Sequence, residues 1–78
     1  AYAASIEAAR GVSTGISAAD RAVTVQAVMA TDAGPDDVVM PGHVFPIRVR
    51  EGGMLSRPDL PEAAVDLTRL AGLEPGAV

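Results

Sequence analysis

The sequence predicts a small α/β (α+β) fold in the order strand, helix, strand, helix. Three observations carry that reading. Apolar residues alternate with other residues near the start and again over residues 44–50. They recur at helical spacing over residues 18–30 and again after Pro61. Clusters of glycine and proline separate these stretches, as turns require.

Each element has a local reason. Over residues 1–9, Tyr2, Ala4, Ile6 and Ala8 share one parity and Ser5 and Glu7 the other, which suggests a strand with one face in a core. The run from Gly11 to Ile16 is a connector. Ser17 is placed to cap a helix over residues 18–30, with Asp20 near the free amides of its first turn. Ala18, Ala22, Val25, Val28 and Met29 are its expected inward face. Thr31 to Asp37 reads as a solvated turn, and Pro41-Gly42 as another. A second strand is expected over residues 44–50 with Phe45, Ile47 and Val49 inward. Pro46 lacks an amide hydrogen and confines that strand to an edge. Gly52-Gly53 turns the chain toward a short return strand at Met54-Leu55. The second helix opens at Pro61, which suits a first helical position. Ala63, Ala64, Leu67, Leu70 and Ala71 are its expected buried line, with Glu62, Asp66 and Arg69 outside. Gly72 is a natural stop, and Ala77-Val78 reads as the opening of a further strand.

Size and composition qualify this picture. Seventy-eight residues approach the lower limit for an independent core. Fifteen alanines and ten valines supply most of the apolar content, and Tyr2 and Phe45 are the only aromatics. Small side chains each bury little area at roughly 25 cal/mol per Å². Neither disulfides nor structural zinc can staple the fold, because cysteine is absent and His43 is the only histidine. The chain therefore reads as residues 1–78 of a partial domain, truncated at both ends, belonging to a larger fold or an oligomer.

Charge limits the partners. Six arginines stand against ten acids, for a net charge of −4, and the arginines are scattered. A phosphate-backbone binder needs a basic stripe, so no nucleic-acid partner is expected. The uncharged run from Ala22 to Thr31 is far shorter than the roughly 20 apolar residues that span a bilayer, so no membrane partner is expected either. Cytoplasmic localisation is the default.

No complete phosphate-binding loop, dinucleotide turn or paired metal-ligand histidines appear. Three local groups could carry chemistry. Thr14 to Arg21 could hold an anion at a helix start, although ordinary capping accounts for the same residues. His43, directly after Pro41-Gly42, is placed for acid–base work or serves structure alone. Arg57, before the second helix, could hold a phosphate beside free amides or sit on the surface as a lone charge.

These groups, in this order, resemble the 3,4-dihydroxy-2-butanone 4-phosphate synthase family of riboflavin biosynthesis. The resemblance runs from Ile6-Glu7-Ala8-Ala9 through Thr14-Gly15-Ile16-Ser17-Ala18-Ala19-Asp20-Arg21 and Pro41-Gly42-His43-Val44-Phe45-Pro46. It continues through Glu51-Gly52-Gly53-Met54-Leu55 and Glu62-Ala63-Ala64-Val65-Asp66-Leu67 to Leu70-Ala71-Gly72. It implies a magnesium-dependent lyase, working as a homodimer, that converts ribulose 5-phosphate into 3,4-dihydroxy-2-butanone 4-phosphate and formate. His43 matches the family's catalytic histidine, and Arg57 matches the arginine that opens the loop holding the substrate phosphate.

The loop then departs from the family. Pro58, Asp59, Leu60 and Pro61 stand where the family has Gly-Gly-His-Thr. Leu60 replaces a metal-binding histidine, so no metal ligand is assigned in this chain and its use of magnesium is in question. Pro58 and Pro61 remove amide donors, Pro61 also a hydroxyl, and Asp59 brings negative charge to a phosphate loop. The family's acidic loop and a second catalytic glutamate lie outside these residues. The sequence thus admits three readings: a synthase-like lyase, a degenerate domain kept for dimerisation or as a scaffold for a fused partner such as a GTP cyclohydrolase II-like domain, and a fragment without function of its own.

Overall fold

The computed structural model describes residues 2–78 and has the expected order of elements, with β1 (Ile6–Ala8), α1 (Ala18–Met29), β2 (Val38–Val44) and α2 (Leu60–Leu70). Short 3-10 turns occupy Pro35–Asp37 and Gly53–Leu55. The chain divides into two compact units, Tyr2–Pro46 and Ile47–Val78.

In the first unit β1 and β2 pair antiparallel, Ile6 with Val44, Glu7 with Val39 and Ala8 with Val38. Ile6 and Ala8 are buried, as their parity predicts. Tyr2 is 74% exposed and Ala4 lies outside the strand, so the expected strand over residues 1–9 shrinks to three residues. Ala1 lies outside the described residues.

The second strand is displaced from its expected position. Pro41-Gly42 is not a turn but part of β2, and residues 40–43 bulge out of the ladder between consecutive β1 residues. A β-carbon on Gly42 would fall on the Ile6 carbonyl, so only glycine lets the two backbones approach there. The bulge carries His43 on the pleated backbone, and a bulge re-aims a side chain in this way. The expected inward set fails with the register. Phe45 is 62% exposed, Ile47 is exposed and Val49 is half-buried.

Helix α1 begins as predicted. The Ser17 hydroxyl accepts the Asp20 amide at 3.1 Å, satisfying one of the free first-turn donors. Its buried residues are nevertheless polar, Asp20 and Thr24, while Ala18, Ala22 and Val28 are exposed. The helix docks by hydrogen bonds, which apolar periodicity does not register. Thr24 is fully buried; its hydroxyl accepts the Ala8 amide at 3.0 Å and donates to the Asp20 carbonyl at 3.3 Å. Thr24→Val is therefore expected to cost the whole protein about 1–3 kcal/mol, because it strands the Ala8 N–H. Thr24→Ser, which keeps the acceptor, should cost less. A near-parental Thr24→Val protein beside a clearly weakened Thr24→Ser protein, by chemical denaturation, would show that the methyl group, not the hydroxyl, holds α1 to β1.

The second unit is built on α2. Asp59 is its N-cap, Pro61 lies in the first turn, and Gly72 at φ +76° closes it. The Leu73 amide reaches the Thr68 carbonyl and the Gly72 amide the Arg69 carbonyl, the paired bonds of a glycine C-cap. The buried face is turned from the expected one, although Ala63 and Ala64 are half-buried and Arg69 is exposed as predicted. Glu62 and Val65 are buried, while Leu67 is 66% and Leu70 85% exposed. The cause is the loop at residues 50–55. Glu62 Oε2 accepts the Arg50 amide and Asp66 Oδ2 the Met54 amide, each at 2.9 Å. A β-carbon on Gly53, at φ +59°, would strike the Asp66 carboxylate. Met54-Leu55 accordingly forms a 3-10 turn rather than a return strand. No strand is described at Ala77-Val78. No helix among the described residues is long and apolar enough to cross a membrane.

Candidate functional site

The Thr14–Arg21 group forms a capped helix start. Asp20 is 9% exposed. Its Oδ2 accepts the Gly15 amide at 3.0 Å, the Ser13 amide at 3.1 Å and the Ser13 hydroxyl at 3.0 Å. The amides of Ser13, Gly15 and Asp20 all have partners within the chain, and the anion reading gains no support from them. The Gly15 N–H is the largest of the influences that hold the Asp20 carboxyl below the usual carboxylate range. Burial opposes it, and the Ser13 donors reinforce it. With a depressed folded-state pKa, the stabilisation from Asp20 is complete above the unfolded value and disappears as pH falls through the folded one. Acid titration of the whole protein should therefore show a loss of stability below about pH 4 that is reduced in Asp20→Asn. An unchanged acid limb in that variant would remove Asp20 from the account.

His43 has a partner that the sequence did not single out. Its Nδ1 lies 2.8 Å from Glu7 Oε2, and its amide donates to Glu7 Oε1 at 3.4 Å. The register of β1 against the β2 bulge brings the two together from 36 residues apart. An ionised carboxylate only accepts, so Nδ1 carries the proton, and in the neutral ring Nε2 is then the acceptor nitrogen. The Glu7 side chain is 13% exposed and that of His43 45%. This gives a held carboxylate beneath a reachable imidazole. Next to it, the Gly42 amide donates to Ser5 Oγ at 3.2 Å. The available signal was an acid on the polar parity of a strand, which has meaning only once the neighbouring strand is known.

The Arg57 group lies in the second unit. The Arg57 amide donates to the Gly53 carbonyl at 3.0 Å, so the loop fixes its backbone. Its Nη2 lies 3.5 Å from Asp59 Oδ2. Asp59 Oδ1 accepts the Leu60 amide at 2.8 Å, and Leu60 is 78% exposed. Asp59 thus supplies negative charge both to the helix N-terminus and to Arg57, the two features that would otherwise attract a phosphate.

Comparison with known proteins decides the family. The model of the 3,4-dihydroxy-2-butanone 4-phosphate synthase family matches residues 1–78. The chain belongs to this family. The synthase of Oleidesulfovibrio alaskensis is 60% identical over 78 residues, which are 100% of this chain and 36% of that protein. The riboflavin biosynthesis protein RibBA of Salinispora arenicola is 56% identical over the same length, 19% of its own. A solved 3,4-dihydroxy-2-butanone 4-phosphate synthase in complex with two magnesium ions is 46% identical, with a TM-score of 0.91 over 96% of this chain and 35% of that one. The chain thus spans about a third of the synthase relatives' length.

The residues present do not fit magnesium. Among the described residues no three His, Cys, Asp or Glu side chains gather as a metal site. Leu60 offers no donor, Asp59 is committed to the helix cap and Arg57, and Glu7 is committed to His43.

Proposed function

We propose that this chain is the central part of a synthase-family domain that keeps the proton-transfer element of the lyase and has lost its phosphate- and metal-binding loop. The observation that carries the first half is the Glu7–His43 contact. Forming an enediol from ribulose 5-phosphate requires removing a proton beside a carbonyl, and an imidazole with its acceptor nitrogen available is suited to that step. The carboxylate fixes the tautomer and stabilises the imidazolium that proton transfer produces. His43 is the catalytic residue of this reading, and Arg57 its candidate phosphate contact.

The second half rests on residues 58–61. Pro58 and Pro61 lack amide hydrogens, Asp59 opposes an incoming phosphate, and Leu60 cannot ligate a metal. The protein is then a riboflavin-pathway homologue, homodimeric and cytoplasmic, whose formate-releasing activity is suppressed by its own loop. Support for the scaffold alternative comes from the Salinispora arenicola relative, which is 56% identical to this chain and only 19% covered by it. A fused partner, of the GTP cyclohydrolase II type, would give such a domain a role without catalysis. Formate release from ribulose 5-phosphate, before and after the loop is returned to Gly-Gly-His-Thr, tests the proposal. No release from either form favours the scaffold.

A further inference from the structure

We infer that Asp20 is a positioning residue for His43, acting through the loop on which the Glu7 carboxylate rests. The inference rests on the reading of His43 as the proton-transfer group and extends the site to a residue that touches neither His43 nor Glu7. Three donors converge on Asp20 Oδ2: the Ser13 amide, the Ser13 hydroxyl and the Gly15 amide. They fix Gly15, which is buried with φ +81°. A β-carbon there would coincide with the Glu7 carboxylate, so the carboxylate occupies the space that glycine leaves open. Glu7 Oε2 in turn holds His43 Nδ1 at 2.8 Å.

The same helix turn controls the other side of Glu7. The Asp20 carbonyl accepts the Thr24 hydroxyl, and Thr24 Oγ1 holds the Ala8 amide, next to Glu7 in β1. One end of α1 therefore sets both the floor beneath the Glu7 carboxylate and the strand that carries it. A helix cap alone would need only the Ser17 hydroxyl, which is already present. The convergence of Asp20 on Ser13 and Gly15 goes beyond capping. It shapes a seat for a second carboxylate, whose burial is tolerable because its partners are arranged in advance.

The readout is the tautomer of the imidazole, measured by nitrogen NMR on the whole protein labelled at histidine, with His43 identified by the loss of its signals in His43→Asn. In the neutral ring the proton should reside on Nδ1, and Glu7→Ala sets the fully released value. Asp20→Ala should lower the ratio of Nδ1–H to Nε2–H about tenfold, the worth of one charge-assisted hydrogen bond. Asp20→Asn, which keeps an acceptor for the Gly15 amide, should restore most of it. Arg10→Ala, which breaks the exposed pair with Asp37, should leave it unchanged. Should Asp20→Ala not fold, Asp20→Glu keeps the charge while displacing the carboxylate, and the same loss is expected. A folded Asp20→Ala or Asp20→Glu protein with the wild-type tautomer overturns the inference. Because neither formate nor substrate is measured, failure of the lyase reading and failure of this one are separate results.

Discussion

His43→Ala, made in protein whose loop has been restored to Gly-Gly-His-Thr, is expected to lower solvent-deuterium exchange into ribulose 5-phosphate by about 10²–10⁴-fold, the usual worth of a positioned general acid–base group. The reason is local. His43 is the chain's only histidine, and the β2 bulge seats it on a carboxylate that is itself largely shielded from water. Removing the imidazole leaves Glu7 close by, but without the acceptor nitrogen that Nε2 provides. The fold should survive, since the His43 side chain is 45% exposed. Circular dichroism and denaturation checks that accompany the exchange measurement should match the parent protein. Unchanged exchange in a folded His43→Ala protein would return this histidine to a structural role.

The order of elements was legible in the sequence because its punctuation is strong. Ser17, Asp59 with Pro61, and Gly72 mark helix ends by hydrogen-bond chemistry that acts within a few residues. The burial faces were less legible. In α1 and α2 the inward residues are Asp20, Thr24, Glu62 and Val65, three of the four being polar or charged groups that bind backbone amides. A periodicity that counts only apolar residues misses these positions, although Val25, Met29, Ala63 and Ala64 from its expected faces are half-buried. Pro41-Gly42 misled for a related reason. Its glycine serves a close approach to Ile6 within a strand, not a reversal of the chain. The candidate histidine was legible from motif, whereas Glu7 required the register between two strands.

The altered loop is expected to have the largest effect of all. Removing one preorganised electrostatic contact costs an enzyme about 10²–10³ in rate, and residues 58–61 change several together. Asp59 is the most damaging of the four, because it already occupies both attractions that the site would offer a phosphate. It accepts the first amide of α2 and lies within 3.5 Å of the Arg57 guanidinium. The exposed Arg57–Asp59 pair is itself worth at most about 1 kcal/mol. Its importance lies in the charge it places, not in the stability it adds. On the proposed reading Leu60 adds to this effect, because its side chain offers no donor to a metal.

The most direct test places this chain in the Oleidesulfovibrio alaskensis synthase, in exchange for the matching 36% of that protein, so that the rest of the domain comes from the relative. Formate release from labelled ribulose 5-phosphate with magnesium is then measured before and after Pro58→Gly, Asp59→Gly, Leu60→His and Pro61→Thr. The account predicts release at least about 10³-fold below the relative's own for the unaltered chimaera, and substantial recovery once the four residues are restored. Robust release from the unaltered chimaera would contradict it, and so would a folded, restored chimaera that remains inactive.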